Sequence, residues 1–134
     1  MIREFTCIIC PNGCWIRADV VSDPEGALTV RSMEGALCPR GEAYVKQELT
    51  QPCRSIATSV AVKGGILPLA SVRLTNPIPK AGILDAMREI RTCCLKAPVS
   101  AGTVVIKNIL GYDSDVIVTR SVPARPDPED RENR

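Results

Sequence analysis

Four cysteines stand at Cys7, Cys10, Cys14 and Cys38 with the spacing C-x2-C-x3-C-x23-C, and the last opens the run Cys38-Pro39-Arg40-Gly41. Thiolate is the ligand that iron–sulfur clusters use. Three thiols in one short loop, with a fourth brought back from further along the chain, can take the four corners of a [4Fe-4S] cube. The same four donors can instead hold Zn2+, which sits tetrahedrally among four cysteines in many small structural sites. The chain contains no histidine. That absence excludes His-ligated catalytic zinc, Rieske centres and Ser-His or Cys-His nucleophilic pairs. The spacing differs both from the bacterial ferredoxin run, C-x2-C-x2-C-x3-C-P, and from paired zinc knuckles.

A cluster held by four thiolates is an anion, and burial alone disfavours adding an electron to it. Backbone N–H groups aimed at the sulfurs and nearby cations oppose that cost and raise the potential. Arg40, two residues beyond Cys38, is the cation best placed to do so. Gly13 and Gly41, next to or near ligands, let the backbone approach closely or adopt positive φ. Trp15 follows Cys14 directly and is expected to pack on the hairpin, shielding the cluster incidentally. The other cysteines carry less information. Cys53, between Pro52 and Arg54, reads as an ordinary thiol. Cys94 falls on the apolar stripe of a helix and Cys93 on its flank, and a disulfide between such neighbours departs from normal geometry. Pro79 and Lys80 read as a rigid lead-in to that helix.

The elements that must position these residues follow from periodicity and turn residues. Residues 1–14 read as an irregular cysteine loop. Residues 14–21 alternate as a strand with Ile16, Ala18 and Val20 on one face. Ser22-Asp23-Pro24-Glu25-Gly26 is a turn signal, and 27–32 reads as the returning strand. This hairpin carries the chain out from Cys14 and returns it at Cys38. A short helix is expected over 40–49, ended by Pro52. Residues 55–62 alternate as a strand, Lys63-Gly64-Gly65 is a hairpin turn, and 66–74 reads as an edge-like strand interrupted by Pro68. Asn76-Pro77-Ile78-Pro79-Lys80 is stiffened by its prolines. Ile83, Met87, Ile90 and Cys94 then fall at i, i+4, i+7 and i+11, a buried helical stripe, stopped by Ala97-Pro98. Strands are expected at 103–107 and 115–119, joined around Asn108–Gly111. From Pro123 onward three prolines and seven charged residues show no apolar pattern, and disorder is expected.

Composition limits the function classes. The 134 residues are 45% hydrophobic but hold only one tryptophan, two tyrosines and one phenylalanine, so the core is aliphatic. Net charge is +2, and the clustered cations and stacking aromatics of a nucleic-acid binder are absent. No apolar run approaches the ~20 residues of a membrane span. Cys7 arrives too early to leave room for a secretory signal. Seven cysteines in a secreted chain would suggest disulfides with one thiol left over; the reducing cytoplasm and metal binding are expected instead. The acidic residues are scattered, with no pair spaced for acid–base work. Gly64-Gly65 is a turn rather than a phosphate loop, and no G-x-G-x-x-G fingerprint occurs.

Cys7-Ile-Ile-Cys10-Pro-Asn-Gly-Cys14, the hairpin after it, Cys38-Pro39-Arg40-Gly41, and Pro52 with Arg54 together resemble the N-terminal iron–sulfur domain of molybdopterin oxidoreductases over roughly the first 60 residues. The chain lacks the hundreds of further residues that hold a pterin, so no molybdenum site is implied. Across residues 5–120 the chain resembles the DUF1667 family of small proteins with CXXC-type cysteines. Arg40-Gly41-Glu42-Ala43-Tyr44, Pro77-Ile78-Pro79-Lys80, Lys96-Ala97-Pro98-Val99 and Ile106-Lys107-Asn108-Ile109-Leu110-Gly111 carry this second likeness. It implies an accessory subunit beside an FAD-dependent dehydrogenase of the anaerobic glycerol-3-phosphate dehydrogenase kind. A second, NAD(P)H- or quinone-linked flavoprotein is the other implied neighbour.

Together these readings give an α+β protein. Residues 1–53 form a cysteine-loop and β-hairpin lobe that binds the cluster. Residues 54–122 form a small mixed sheet packed on one helix, and 123–134 a disordered tail. The expected role is transfer of single electrons without turnover of its own, with Cys7, Cys10, Cys14 and Cys38 as ligands and Arg40 beside the cluster. The rivals are a zinc-stabilised module that bridges flavoprotein subunits and an assembly factor that donates its cluster. A thiol–disulfide enzyme using Cys7 and Cys10 is disfavoured by the two further thiols.

Overall fold

The computed structural model describes residues 1–127, and the chain divides into two compact units that meet at Cys53/Arg54. The secondary structure is mixed, as an α+β protein requires.

In the first unit, strands β1 (Ile2–Thr6), β2 (Trp15–Ser22) and β3 (Leu28–Glu34) form an antiparallel sheet in sequence order. Alternation in β2 buries Ile16, Ala18 and Val20 and turns Trp15 and Arg17 outward. Helix α1 (Pro39–Thr50) lies on the buried face, presenting Gly41, Val45 and Leu49 at intervals of four. These side chains join Cys7, Ile16, Ala18 and Val20 in one aliphatic core, with Phe5, Cys14 and Met33 packed at its edge. Strand β1 corrects the expectation of an irregular N-terminus. Only Phe5 in it is even half-buried, so it has no apolar alternation to read. Its existence depends on pairing with β2, where Phe5 faces Ile16 and Thr6 faces Trp15.

The β2–β3 turn closes through Asp23, whose carboxylate accepts from the N–H groups of Glu25 and Ala27. Where β3 ends, Gly35 adopts φ +88°, and a Cβ there would collide with the carbonyl oxygen of Trp15. Only glycine combines that conformation with that approach. The two-residue strand β4 (Cys53–Arg54) follows α1.

In the second unit, β5 (Ala57–Lys63), β6 (Leu69–Leu74), β8 (Cys94–Lys96), β9 (Val104–Ile106) and β10 (Val116–Val118) build a mixed sheet in the order β8-β5-β6-β10-β9. β5 and β8 run parallel and the other neighbours antiparallel. Between β6 and β8 the chain passes through β7 (Ile78–Pro79), a 3-10 turn at Lys80–Gly82 and helix α2 (Ile83–Arg91). Ala86 and Ile90 of α2 pack with Val60, Val72, Leu74, Ile78, Val116 and Val118. The mixed sheet on one helix is as expected. Pro68 precedes β6 rather than interrupting it, and its carbonyl accepts from Val62 N–H at 2.8 Å to close the hairpin.

Two expectations fail here. The helical stripe does not reach Cys94, because α2 ends at Arg91. Its last turn tightens, with Thr92 N–H on Glu89 O and Cys93 N–H on Ile90 O. The chain then turns into β8, which leaves Cys94 exposed and Cys93 partly buried against the core. The expected onset of disorder at Pro123 is too early as well. Pro123 O accepts from Ile66 N–H at 3.0 Å, Arg125 N–H donates to Gly64 O at 2.8 Å, and Ala124 pairs with Gly65. Backbone pairing needs no apolar side chain, so a proline- and charge-rich segment can join a sheet edge. The rest of the expected tail, 128–134, lies outside the described residues.

Candidate metal centre

The four cysteines of interest lie on two segments of the first unit, the β1–β2 loop and the start of α1. Cys7 follows β1 and Cys14 precedes β2, and the Cys7 N–H donates to the Cys14 carbonyl at 2.9 Å. That bond extends the β1–β2 ladder and cinches the intervening loop. Inside the loop Gly13, at φ +57°, turns its N–H towards Cys10 O at 3.4 Å. Cys38 is the N-cap residue of α1, with Pro39 at the first helical position, where its missing N–H costs nothing. The helix is seated on the loop through Gly41. A Cβ on Gly41 would stand 3.1 Å from Ile16 Cδ1 and 3.8 Å from Cys7 Sγ. The first turn of α1 therefore lies against the Cys7 thiol.

Electrostatics distinguish the thiols. The N–H groups of Gly41 and then Arg40 face the Cys38 sulfur, and the Arg40 guanidinium adds its charge. Together they hold this thiol below its ordinary range, against a smaller opposing effect of burial. No cap hydrogen bond of standard geometry is made by the Cys38 side chain; the field of the helix N-terminus acts on it without one. Cys7 is only 4% exposed, whereas Cys10, Cys14 and Cys38 are half-buried. None of the seven cysteines forms a disulfide. Arg40, two residues along from Cys38, acts on that thiol through its N–H and its charge.

Convergence is incomplete. Among the described residues, no three Cys, Asp or Glu side chains gather closely enough to hold one metal ion. Thiolates on a tetrahedral zinc with ~2.3 Å bonds lie about 3.8 Å apart. In a cube each thiolate meets a different iron, so the sulfurs stand wider. The donor set is chemically right for a cluster: four thiols on two segments of one unit, one polarised by N–H groups and a cation.

Trp15 departs from its expected role. It is 67% exposed on the outer face of β2, where it lines a shallow groove of about 280 Å³ with Arg17, Glu34 and Gly35. It does not pack into the hairpin core. Large apolar side chains flank the cysteines in the open, with Ile8 75% and Leu37 77% exposed. Cys53 donates to Gln51 O at 3.5 Å at the boundary between the units. Two features of the site were missed in the sequence. The Cys7–Cys14 backbone closure left no signal, because it depends on β1. Gly35, three residues before Cys38, was visible as a glycine ending the β3 pattern and marks where the chain must turn.

A family model described as a protein of unknown function (DUF1667) matches residues 39–120. The chain belongs to the DUF1667 family. The matched span begins one residue after Cys38, so it includes Arg40 and Gly41 but none of the four cysteines. DUF1667 membership therefore rests on α1 and the second unit, a shorter reach than the 5–120 expected. No curated protein matches the chain. Among solved structures, the NMR structure of Clostridium perfringens protein CPE0013 is similar at 21% identity and a TM-score of 0.48, covering 56% of this chain and 87% of that one. No helix among the described residues is long and apolar enough to cross a membrane.

Proposed function

We propose that this DUF1667 protein carries a [4Fe-4S] cluster on Cys7, Cys10, Cys14 and Cys38 and passes single electrons. The observation that carries the reading is the seating of the α1 N-terminus, capped by Cys38, against the buried thiol of Cys7 through Gly41. It sets the segment that follows Cys38 against Cys7, 31 positions earlier in sequence, and the Cys7–Cys14 backbone bond ties Cys14 to the same loop; both support a shared centre. When bound, the cluster supplies one-electron chemistry at a potential within the broad range such centres span. The chain's own residues do the rest. Gly41 and Arg40 direct N–H groups and a positive charge at Cys38, which favours the thiolate and offsets the negative charge of the reduced state.

The partners are read from the family resemblance: an FAD-dependent dehydrogenase of the anaerobic glycerol-3-phosphate dehydrogenase kind and a second, NAD(P)H- or quinone-linked flavoprotein, in a reducing cytoplasm. A one-electron centre suits a place between flavins, which accept hydride equivalents and release single electrons. The test is anaerobic purification with metal and sulfide analysis. Brown protein holding about four iron and four sulfide per chain, bleached by dithionite, is expected. Serine at any of the four positions is expected to abolish the colour, whereas serine at Cys53, Cys93 or Cys94 leaves it. Arg40→Gln is expected to lower the midpoint potential. Colourless protein with one zinc and no sulfide would refute the proposal.

A further inference from the structure

The second unit has an open groove of about 620 Å³ at the β8 edge of its sheet, and it is unusually cationic. Lys63, at the end of β5, and Lys96, at the end of β8, are direct register partners across the parallel pair. Residues so paired point to the same face, and like charges placed opposite one another destabilise a sheet. A third cation is tied to the same patch. Arg125 donates its backbone N–H to Gly64 O at 2.8 Å, and Ala97 N–H donates to Lys63 O at 2.9 Å. All three therefore stand on one hydrogen-bonded stretch of backbone and line one groove. None makes an ion pair among the described residues. The single acid in the lining, Asp127, balances one charge of the three. Pro126 and the aliphatic stems of the two lysines supply apolar surface beside the charges, while Leu95 turns to the core on the other face of β8. The volume lies within the ~300–1,000 Å³ of small-molecule sites.

We infer that this groove binds a nucleoside diphosphate, its two phosphates between Lys63, Lys96 and Arg125 and its base on the apolar lining at Pro126. A diphosphate brings the two or three negative charges that remove the Lys63–Lys96 repulsion. Arginine offers a planar fork to phosphate oxygens and lysine a compact charge. The site is separate from the cysteines of the first unit and stands or falls independently of the cluster. It involves binding alone, with no bond made or broken.

Cys94 lies exposed in the lining of the same groove and provides a local reporter. The test measures alkylation of Cys94 in the full chain by mass-spectrometric peptide mapping, with ADP, adenosine, inorganic pyrophosphate or an oligo-glutamate peptide present. ADP is expected to slow modification by about fivefold or more, pyrophosphate less, and adenosine and the peptide not at all. Calorimetry on Lys63→Ala, Lys96→Ala and Arg125→Ala is expected to show ADP affinity falling about tenfold or more in each, with unchanged circular dichroism. No protection at about 10 mM ADP, roughly a thousandfold above a Kd of about 10 μM, would overturn the assignment. So would equal protection by adenosine, equal protection by pyrophosphate, or protection by the acidic peptide where ADP gives none.

Discussion

Replacing Gly35 and Gly26 separately with alanine tests how the chain is steered from β3 to Cys38. Both glycines have nearly the same backbone conformation, φ +88° and φ +87°, so both substitutions incur the same conformational penalty. For an L-residue in that region it is about 1–2 kcal/mol. Their surroundings differ completely. Nothing lies within 4 Å of a Cβ built at Gly26. At Gly35 the new atom meets the Trp15 carbonyl oxygen, with Trp15 C at 3.3 Å and Ile16 Cα at 3.6 Å, all of it backbone. Backbone cannot swing aside like a side-chain tip, and Ile16 beneath it is fully buried. Overpacking of this kind adds about 1–3 kcal/mol. Gly26→Ala is therefore expected to cost about 1–2 kcal/mol and Gly35→Ala about 2–5 kcal/mol. The assay is urea unfolding followed by tryptophan fluorescence. Trp15 is the only tryptophan and belongs to the first unit, so the signal reports that unit alone. Iron content after anaerobic reconstitution is expected to fall in the Gly35 variant and hold in the Gly26 variant. Equal destabilisation by both substitutions would show that close approach at Gly35 contributes nothing, and the argument for how Cys38 is delivered would fail.

Three further outcomes follow from other parts of the molecule. In metal-free protein the Cys38 thiol ionises below its ordinary range, so its thiolate persists as pH falls. Alkylation of Cys38 should hold its rate to lower pH than an ordinary thiol does; a mass-spectrometric rate profile that falls off across the ordinary thiol range would show that the α1 N-terminus has no influence. Ser114 is 2% exposed, and its Oγ donates to Asn76 O at 2.6 Å while accepting from Asn76 N–H at 3.2 Å. Ser114→Ala removes both part-buried bonds to the Asn76 backbone and should cost about 1 kcal/mol by urea unfolding followed by circular dichroism. The Arg88–Asp85 pair spans 2.7 Å on α2, but both side chains are mostly exposed, so Asp85→Ala should move stability by less than about 0.5 kcal/mol in the same measurement.

What could be read beforehand was local. The faces of β2, the extent of α1 and the β5–β6 hairpin follow from alternation, capping and turn residues, all of which act within a few positions. The misread elements each depended on a distant partner. β1 carries almost no buried side chain and exists as the neighbour of β2. Cys94 continues the apolar spacing of α2, yet the helix stops so that the chain can enter β8 beside β5. Pro123–Arg125 looks unstructured by composition but pairs with Gly64–Ile66. Trp15 was misplaced because alternation sets it opposite Ile16, on the face of the sheet that acquires no core.

The candidate site divides in the same way. The chemistry of four thiols without histidine, and the outward-and-back path from Cys14 to Cys38, are properties of residue type and of short-range pattern. The seat of α1 on Cys7 and the pairing of Lys63 with Lys96 are not, because each joins segments whose register is set by burial summed over a whole unit. Composition decides what a group can bind; only the packed backbone decides which groups stand close enough to bind it together.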